Sequence, residues 1–294
     1  MPHHVSLSRR LFLAANYTFL ILLSIICLLP IIHVFAISLS SSSAVDVGLV
    51  KLWPVDFTWR SYKYILNKPE FLQSMLVSAQ RVALGTVLNM LLSLLIAYPL
   101  SKETTSFRYR TFYAWLFVMT ILFHGGLIPT YLTVKETGLL GSIWALILPE
   151  AVPVFNMILL LNFFRGLPKE LEESAFMDGA GYWKVLWRII VPLSLPAIAT
   201  VGLFTIVTHW NSWFDGLIYM NSQAQYPLST YLQTVVINQN LLANAQVDLN
   251  DLAEINDRTA KAAQIFLGLL PILMVYPFLQ RYFLTGLVLG SVKE

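Results

Sequence analysis

Charged side chains are scarce in this sequence. Asp, Glu, Lys and Arg make up 12% of the 294 residues, whereas about 25% is typical of a soluble domain. Hydrophobic residues make up 57%, and a single water-soluble core cannot hide that much apolar surface. We therefore expect an integral membrane protein.

Cysteine is nearly absent as well. Cys27 is the only one and lies in an apolar run, so the chain can build neither an internal disulfide nor a thiolate metal site. His33, His124 and His209 occur singly, without the ligand spacing of a metal site. We therefore expect that the protein binds no metal ion and that its stability comes from packing between helices.

The sequence lacks the features that would indicate nucleic-acid binding or ATP binding. The formal charge is only +3 and no dense run of Lys or Arg occurs, which argues against nucleic-acid binding. No G-x-x-x-x-G-K-S/T sequence occurs, so the chain lacks the loop that cradles the phosphates of ATP. We expect it to bind no cofactor. No pair of nucleophile and general base can be named in the sequence either, so we expect that the chain is not an enzyme.

Long apolar runs are abundant, and they predict an all-α polytopic membrane protein. A helix needs about 20 apolar residues to cross the hydrocarbon region, and six windows of sufficient length carry at most one charge each. These windows are 11–39, 71–101, 111–134, 137–164, 189–214 and 262–280. We expect them to form one transmembrane domain over residues 1–294.

The placement of Lys and Arg predicts the orientation of the chain. Six crossings put both termini on one side, and short cytoplasmic loops are enriched in positive charge. The richer face holds Arg9, Arg10, Lys102, Arg108, Arg110, Arg165, Lys169, Lys184, Arg188, Arg281 and Lys293. We therefore place both termini and the 165–188 loop in the cytoplasm, and the 219–261 loop on the outer side of the membrane.

The stretch from Pro168 to Pro196, which includes most of the 165–188 loop, is a long charged segment between strongly apolar runs. Pro168 suits the first helical position, and the acidic residues that follow favour the positive end of the helix dipole. We expect a helix from Pro168 to about Met177. Gly179 and Gly181 can adopt the left-handed conformation that ends a helix, so a second helix should begin near Tyr182.

Two prolines should interrupt the entry to the fifth span. Pro192 and Pro196 each lack a backbone donor, which weakens an α-helix at that point. We expect the second helix of the loop to meet the span at an angle and to lie along the membrane surface, where it could act as a rigid lever.

The residue order of this loop resembles the EAA loop of permease subunits in ATP-binding-cassette (ABC) importers. That pattern is E-A-A, three residues, G, nine residues, then I-x-L-P. The matching residues here are Glu173, Ser174, Ala175, Gly179, Ile189, Val191 and Pro192. Two residues depart from the pattern: Ser174 stands in place of Ala and Val191 in place of Leu. Each is similar in size to the residue it replaces. Residues 97–101, 210–213 and 286–293 also look like the smaller, six-span permease of maltose-type carbohydrate importers.

The resemblance implies a type I ABC importer permease fold with a coupling helix between spans 4 and 5. It also implies a second permease, two ATPase subunits that bind ATP and Mg, and an external solute-binding protein as partners. Residues Glu173, Ser174, Ala175, Asp178 and Gly179 would then dock in a cleft of the ATPase. The tail from Gly286 to Glu294 would reach the ATPase dimer, and the 219–261 loop could enter the binding protein.

Two charges interrupt the predicted spans. Arg81 and Glu150 each lie about 15 Å below the outer end of their span at a rise of about 1.5 Å per residue. Charges at such depth usually face a partner or an aqueous cavity. We expect them to form a structural ion pair, or alternatively Arg81 to line the pathway and attract an acidic sugar. Pro149 and Pro153 should kink the fourth helix.

A polar and aromatic group lies at the outer end of the fifth span. It consists of Trp210, Asn211, Trp213 and Asp215. Its rings could stack on sugars while the polar groups bond to hydroxyls, but Trp is also common in interfacial belts. Both interpretations remain open.

The function expected from the sequence is import of oligosaccharides from a binding protein. Arg81 and the slight basic excess favour acidic oligomers of the alginate or pectin kind, and neutral oligosaccharides are an equal alternative. An ion-gradient-driven transporter would need a self-contained site, commonly between internal repeats, and we find no convincing repeat.

Overall fold

The computed structural model describes residues 7–237 and 257–291, and within these ranges the chain is helical and contains no β-strand. The helices are α1 Leu7–Ser38, α2 Ser42–Asp46, α3 Arg60–Leu66, α4 Pro69–Ser101, α5 Arg110–Leu122, α6 Leu127–Glu136, α7 Val154–Arg165, α8 Glu170–Met177, α9 Tyr182–Val185, α10 Val191–Leu193, α11 Leu195–Asn211, α12 Phe214–Tyr219, α13 Leu228–Ile237 and α14 Asp257–Ser291. Short 3-10 turns cover Ile143–Leu146, Leu148–Glu150 and Gln223–Gln225. The π-helical turns Leu186–Ile190 join α9 to α10.

The chain divides into two compact units. The first comprises Met1–Pro69 and Val235–Leu270. Its small core is formed by Ala36, Ala44 and Val45, where α1 meets α2. The side-chain hydroxyls of Ser38 and Tyr62 lie 2.7 Å apart, which fastens α3 to the end of α1.

The second unit comprises Glu70–Thr234 and Pro271–Glu294. Its main core joins α4, α7, the Tyr182–Leu193 run and α11, with Ala97, Leu160, Val185 and Val201 all buried. The unit therefore contains both the charged loop singled out by the sequence and most of the predicted spans.

A stripe of small and polar residues runs along the buried side of α4. Its members recur three or four residues apart: Ser74, Ser78, Arg81, Gly85, Asn89 and Ser93. Gly85 matters for close packing because a Cβ atom there would lie 2.5 Å from Nε2 of His209 on α11. Small residues allow such close approach of helices within membranes.

Three helices are long and apolar enough to cross a membrane unbroken. They cover Ser8–Ser38, Pro69–Ser101 and Arg258–Pro277. Three further stretches are long and apolar enough only as pairs of helices with a bend between them. By length and composition, the described residues therefore contain three candidate spans, or up to six if each bent pair is one span. The pairs are 110–122 with 127–136, 143–150 with 154–165, and 182–193 with 195–211, bent by 113°, 49° and 82°.

Three predicted spans are therefore not single helices. The 189–214 window is bent by 82° next to Ser194, between Pro192 and Pro196, where the prolines predict an interruption. The 111–134 window breaks after Leu122, where Gly126 has a φ of 90°. In the 137–164 window, Gly138 and Gly141 also have positive φ and only 3-10 turns form before α7. The expected kink near Pro149 and Pro153 is confirmed, since the 49° bend lies there.

Candidate functional site

The charged loop forms the helix that its sequence predicts. Helix α8 covers Glu170–Met177 and carries three acidic residues in its first turn. It ends at Gly179, whose φ is 78°. There the Ala180 N–H donates to the Ala175 carbonyl at 2.9 Å and the Gly179 N–H to the Phe176 carbonyl at 3.0 Å, a Schellman cap. Gly181 was also expected to be left-handed, but its φ is −84°.

Helix α8 has one buried side chain, and most of the others are exposed. Ala175 is 9% exposed and belongs to the same packed cluster as Leu100 and Phe164. Glu173, Ser174, Asp178 and Gly179 are exposed, and Met177 is 88% exposed. Of the five residues predicted to dock on a partner, Ala175 is buried and the other four face solvent. Together with the exposed Met177 they form a surface that we call the α8 ridge (Glu173, Ser174, Met177, Asp178 and Gly179).

Ion pairs tie α8 to the loop that follows α4. Lys102 pairs with Glu172, and both side chains are mostly buried; Lys169 pairs with Glu103 in an exposed position. Burial lowers the pKa of Lys102, and Glu172 opposes that shift. Hydrogen bonds from Lys169 lower the pKa of Glu103.

The same end of the unit holds a second set of contacts. Arg165 donates to the Leu100 carbonyl at 3.2 Å, and Arg110 donates to the Lys102 carbonyl at 2.8 Å. The loops at 102–109 and 165–181 therefore lie together, as the distribution of Lys and Arg requires of two loops on one face.

Arg81 lies at the centre of a buried polar cluster in the N-terminal half of α4. Its side chain is 1% exposed and pairs with Asp215. It also donates to the carbonyls of Ser212 at 3.1 Å and Leu146 at 3.4 Å. Asp215 in turn accepts from the Ser212 hydroxyl and the Gly216 N–H, each at 2.9 Å. The Arg81 guanidinium thus donates hydrogen bonds to backbone carbonyls at two places where a helix ends, Ser212 and Leu146.

The predicted Arg81–Glu150 ion pair is wrong in its partner. Glu150 is exposed in the 3-10 turn Leu148–Glu150, whereas Arg81 binds Asp215. The depth estimate assumed a continuous helix from Gly141, and that segment does not rise as an α-helix does. The buried, paired position of Arg81 favours a structural role over contact with a substrate.

The four residues proposed as sugar contacts do not form one shared surface. Trp210 is buried, Trp213 is partly buried and Asn211 is exposed. The Asp215 carboxylate is bound to Arg81. The Ser229 hydroxyl donates to the Trp210 carbonyl, so this segment also fastens α13 to the end of α11.

Sequence reasoning missed two buried polar contacts between spans. The Asn89 amide and Nε2 of His209 lie 3.1 Å apart, joining α4 to α11. The Asn156 amide donates to the Thr205 hydroxyl at 3.2 Å, joining α7 to α11. A polar residue inside an apolar helix indicates that some hydrogen-bonding partner is needed. The sequence does not show which residue of another helix is that partner.

Some sequence predictions concern residues that the structure does not describe. Residues 238–256 of the predicted external loop and residues 292–294 of the predicted ATPase-contacting tail lie outside the described ranges. Within residues 7–237 and 257–291, no group of three or more His, Cys, Asp or Glu side chains could hold a metal ion.

Comparison with known proteins identifies a family and several relatives. Residues 77–287 match the family described as "Binding-protein-dependent transport system inner membrane component". The chain is 41% identical over 287 residues to the polygalacturonan/rhamnogalacturonan transport system permease protein YtcP of Bacillus subtilis, covering 98% of this chain and 100% of that protein. It is also 41% identical to Protein LplC of Bacillus subtilis, covering 99% of this chain and 97% of that one.

A solved structure has the same fold. It comes from a bacterial ABC transporter involved in the import of the acidic polysaccharide alginate. The match has a TM-score of 0.85 and 30% sequence identity, and covers 96% of this chain and 100% of that one.

Proposed function

The chain belongs to the family of binding-protein-dependent transport system inner membrane components, and we propose that it is a permease subunit of an ATP-driven importer of oligosaccharides. The match over residues 77–287 supports this, as do the carbohydrate permease at 41% identity and the alginate importer at a TM-score of 0.85. An ion-gradient-driven transporter is not favoured, because these relatives belong to ABC and binding-protein-dependent systems.

The observation that carries the proposal is the α8 ridge. Helix α8 is anchored through Ala175 while Glu173 and Ser174 face solvent, and Gly179 adopts the left-handed conformation that ends the helix. A short, firmly held helix with an exposed ridge suits docking in a cleft of another protein. We propose that Glu173 meets a basic residue of an ATPase subunit there, and that ATP and Mg are bound by that subunit.

The proposed complex has further members. A second permease, two ATPase subunits and an external solute-binding protein complete it. This arrangement places the chain in the bacterial plasma membrane as a multi-pass protein, with α8 and both termini in the cytoplasm. The ion pairs Lys102–Glu172 and Lys169–Glu103 join the 102–109 and 165–181 loops on one face, and the excess of Lys and Arg on that face supports its cytoplasmic position. The tail from Gly286 would lie on the same side.

We propose that the substrate is an acidic oligosaccharide. The relatives supply the support: polygalacturonan and rhamnogalacturonan for one permease, alginate for the solved transporter. Arg81 does not supply it, because its charge is already neutralised by Asp215. Trp213 and Asn211 remain candidates for sugar contact, since each side chain is at least partly exposed.

Reversing the charge of Glu173 tests the coupling role. In purified complexes reconstituted in lipid, Glu173→Lys should abolish substrate-stimulated ATP hydrolysis or release the ATPase subunits, because it removes the proposed ionic contact at the docking surface. Glu136→Lys is the matched control, since Glu136 is also exposed but lies at the end of α6. If Glu173→Lys retains both assembly and stimulation like the control, the coupling assignment is wrong.

A further inference from the structure

The helical run from Tyr182 to Leu193 exposes a side that combines aromatic rings with positive charge. Trp183 and Trp187 lie about one turn apart, with 67% and 43% of each residue accessible. Lys184 and Arg188 each follow one of these tryptophans and are also exposed. Neither cation forms an ion pair with another described residue. We call this side the basic aromatic face (Trp183, Lys184, Trp187 and Arg188).

The opposite side of the run is buried at the end of a membrane span. Val185 and Leu186 belong to the same buried cluster as Ala97 and Leu100, which lie in the last two turns of α4. Helix α4 has 33 residues, so it is about 50 Å long at a rise of about 1.5 Å per residue, whereas the hydrocarbon region is about 30 Å thick. The end of α4, directly before Lys102, therefore lies at the boundary with the headgroups, and the run lies at the same level.

The run also lies nearly parallel to the membrane surface. It is bent by 82° from α11, a helix of 17 residues that contains no Asp, Glu, Lys or Arg. Such a length is about the shortest that crosses the hydrocarbon region. With α11 across the membrane, the run lies along its surface, and the basic aromatic face is accessible there.

Anionic lipid headgroups match the composition of this face. The indole ring favours the membrane interface, which accommodates both its apolar ring and its polar N–H. Lys and Arg near that surface are attracted to anionic lipids. Residues 180–196 contain no Asp or Glu, whereas α8 carries three acidic residues in its first turn. The basic aromatic face is therefore complementary to an anionic surface, and the acidic α8 to a basic one.

We propose that the basic aromatic face binds the headgroups of anionic phospholipids. Trp183 and Trp187 would enter the interface, while Lys184 and Arg188 donate hydrogen bonds to phosphate oxygens. This contact would hold the run at the membrane surface next to the end of α4. The proposal requires α4 and α11 to cross the membrane, but it does not require α8 to dock on an ATPase.

Photocrosslinking in the assembled transporter identifies what covers this face. The photoreactive residue p-benzoylphenylalanine is placed at Trp187 of the full complex, which is reconstituted in vesicles of equal parts dioleoylphosphatidylglycerol and dioleoylphosphatidylcholine. We expect irradiation to give lipid adducts of this subunit, detected by intact-protein mass spectrometry. Adducts with the ATPase or the second permease alone, or the absence of any lipid adduct, would overturn the proposal.

The headgroup preference is measured on the same adducts. The two lipids have identical acyl chains, so the ratio of their adducts reports the local lipid composition. We expect phosphatidylglycerol adducts to exceed phosphatidylcholine adducts by about threefold or more, because two cations attract the anionic headgroup. Lys184→Gln/Arg188→Gln should bring the ratio close to one. The matched control Lys63→Gln/Lys135→Gln removes two exposed cations elsewhere and should leave the ratio unchanged.

Two results would contradict the anionic preference. The first is an equal yield of both lipid adducts in the protein that retains Lys184 and Arg188. The second is the same adduct ratio in Lys184→Gln/Arg188→Gln as in the control variant. Because the adducts form without nucleotide and without a change at Glu173, a failure here leaves the Glu173→Lys result unaffected. Failure of the coupling assignment would likewise leave the lipid adducts at Trp187 in place.

Discussion

Arg81 illustrates how a single buried charge can hold a membrane protein together. The cost of placing a cation inside a span predicts that it will have a partner, and Asp215 fills that role. The additional bonds to the Ser212 and Leu146 carbonyls explain why an arginine is used. Its forked guanidinium can satisfy several acceptors at once, which a lysine cannot do in the same geometry.

Arg81→Gln should destabilise the assembled protein by about 3 to 5 kcal/mol, because it leaves the Asp215 carboxylate without its cation. Asp215→Asn should have a similar effect. The double variant Arg81→Gln/Asp215→Asn should recover part of the loss, since neither charge remains. The measurement is the yield of intact complex after a graded thermal challenge in detergent.

The same variants test whether Arg81 recognises substrate. With a structural role, uptake by whatever Arg81→Gln complex survives should fall equally for acidic and neutral oligosaccharides. Normal assembly of Arg81→Gln combined with a selective loss of acidic-substrate uptake would contradict the structural role and support a place in the pathway.

Among the helices, α8 was the most predictable from sequence because its signals are local. A proline before the first turn, acidic residues within that turn and Gly179 at the end are all features of neighbouring residues. The bend between the two helices on either side of Ser194 was likewise indicated by Pro192 and Pro196. Its size of 82° was not, because tertiary packing sets the angle.

The third and fourth spans were less predictable, for a physical reason. A hydropathy window reports how apolar a segment is and says nothing about the direction of its backbone. Gly126, Gly138 and Gly141 adopt positive φ values that turn the chain within apolar sequence. The depth of a residue in the membrane cannot be counted at helical rise along such a segment. The depth of Glu150 was counted in this way, and its predicted pairing with Arg81 was therefore wrong.

The two ion pairs beside α8 should differ in their importance. Glu172→Gln leaves the mostly buried Lys102 without its carboxylate and should cost about 1 to 3 kcal/mol of stability. Glu103→Gln should have little effect, because the Lys169–Glu103 pair is exposed and screened by salt. Thermal unfolding midpoints of the two variants, measured at low and high salt, provide the comparison. Equal shifts for both would contradict this ranking.

For the whole molecule, the second unit places the α8 ridge and the Arg81 cluster within one packed body. Ala175 of α8 shares a core cluster with Val201 of α11, and α11 ends at the Ser212 break that Arg81 holds. The α8 ridge and the Ser212 break are therefore joined by continuous packing within this unit.

The most direct test of the proposed function is a crosslink from the α8 ridge. In a Cys27→Ser background, Met177→Cys labelled with a photoactivatable maleimide should crosslink to the ATPase subunit in membranes, because Met177 is 88% exposed on that ridge. The same label at Glu136→Cys, at the end of α6, should not reach that subunit. Crosslinking from Met177 to the ATPase alone is the expected result; no ATPase adduct from Met177, or equal adducts from both positions, would contradict the docking of α8 on an ATPase.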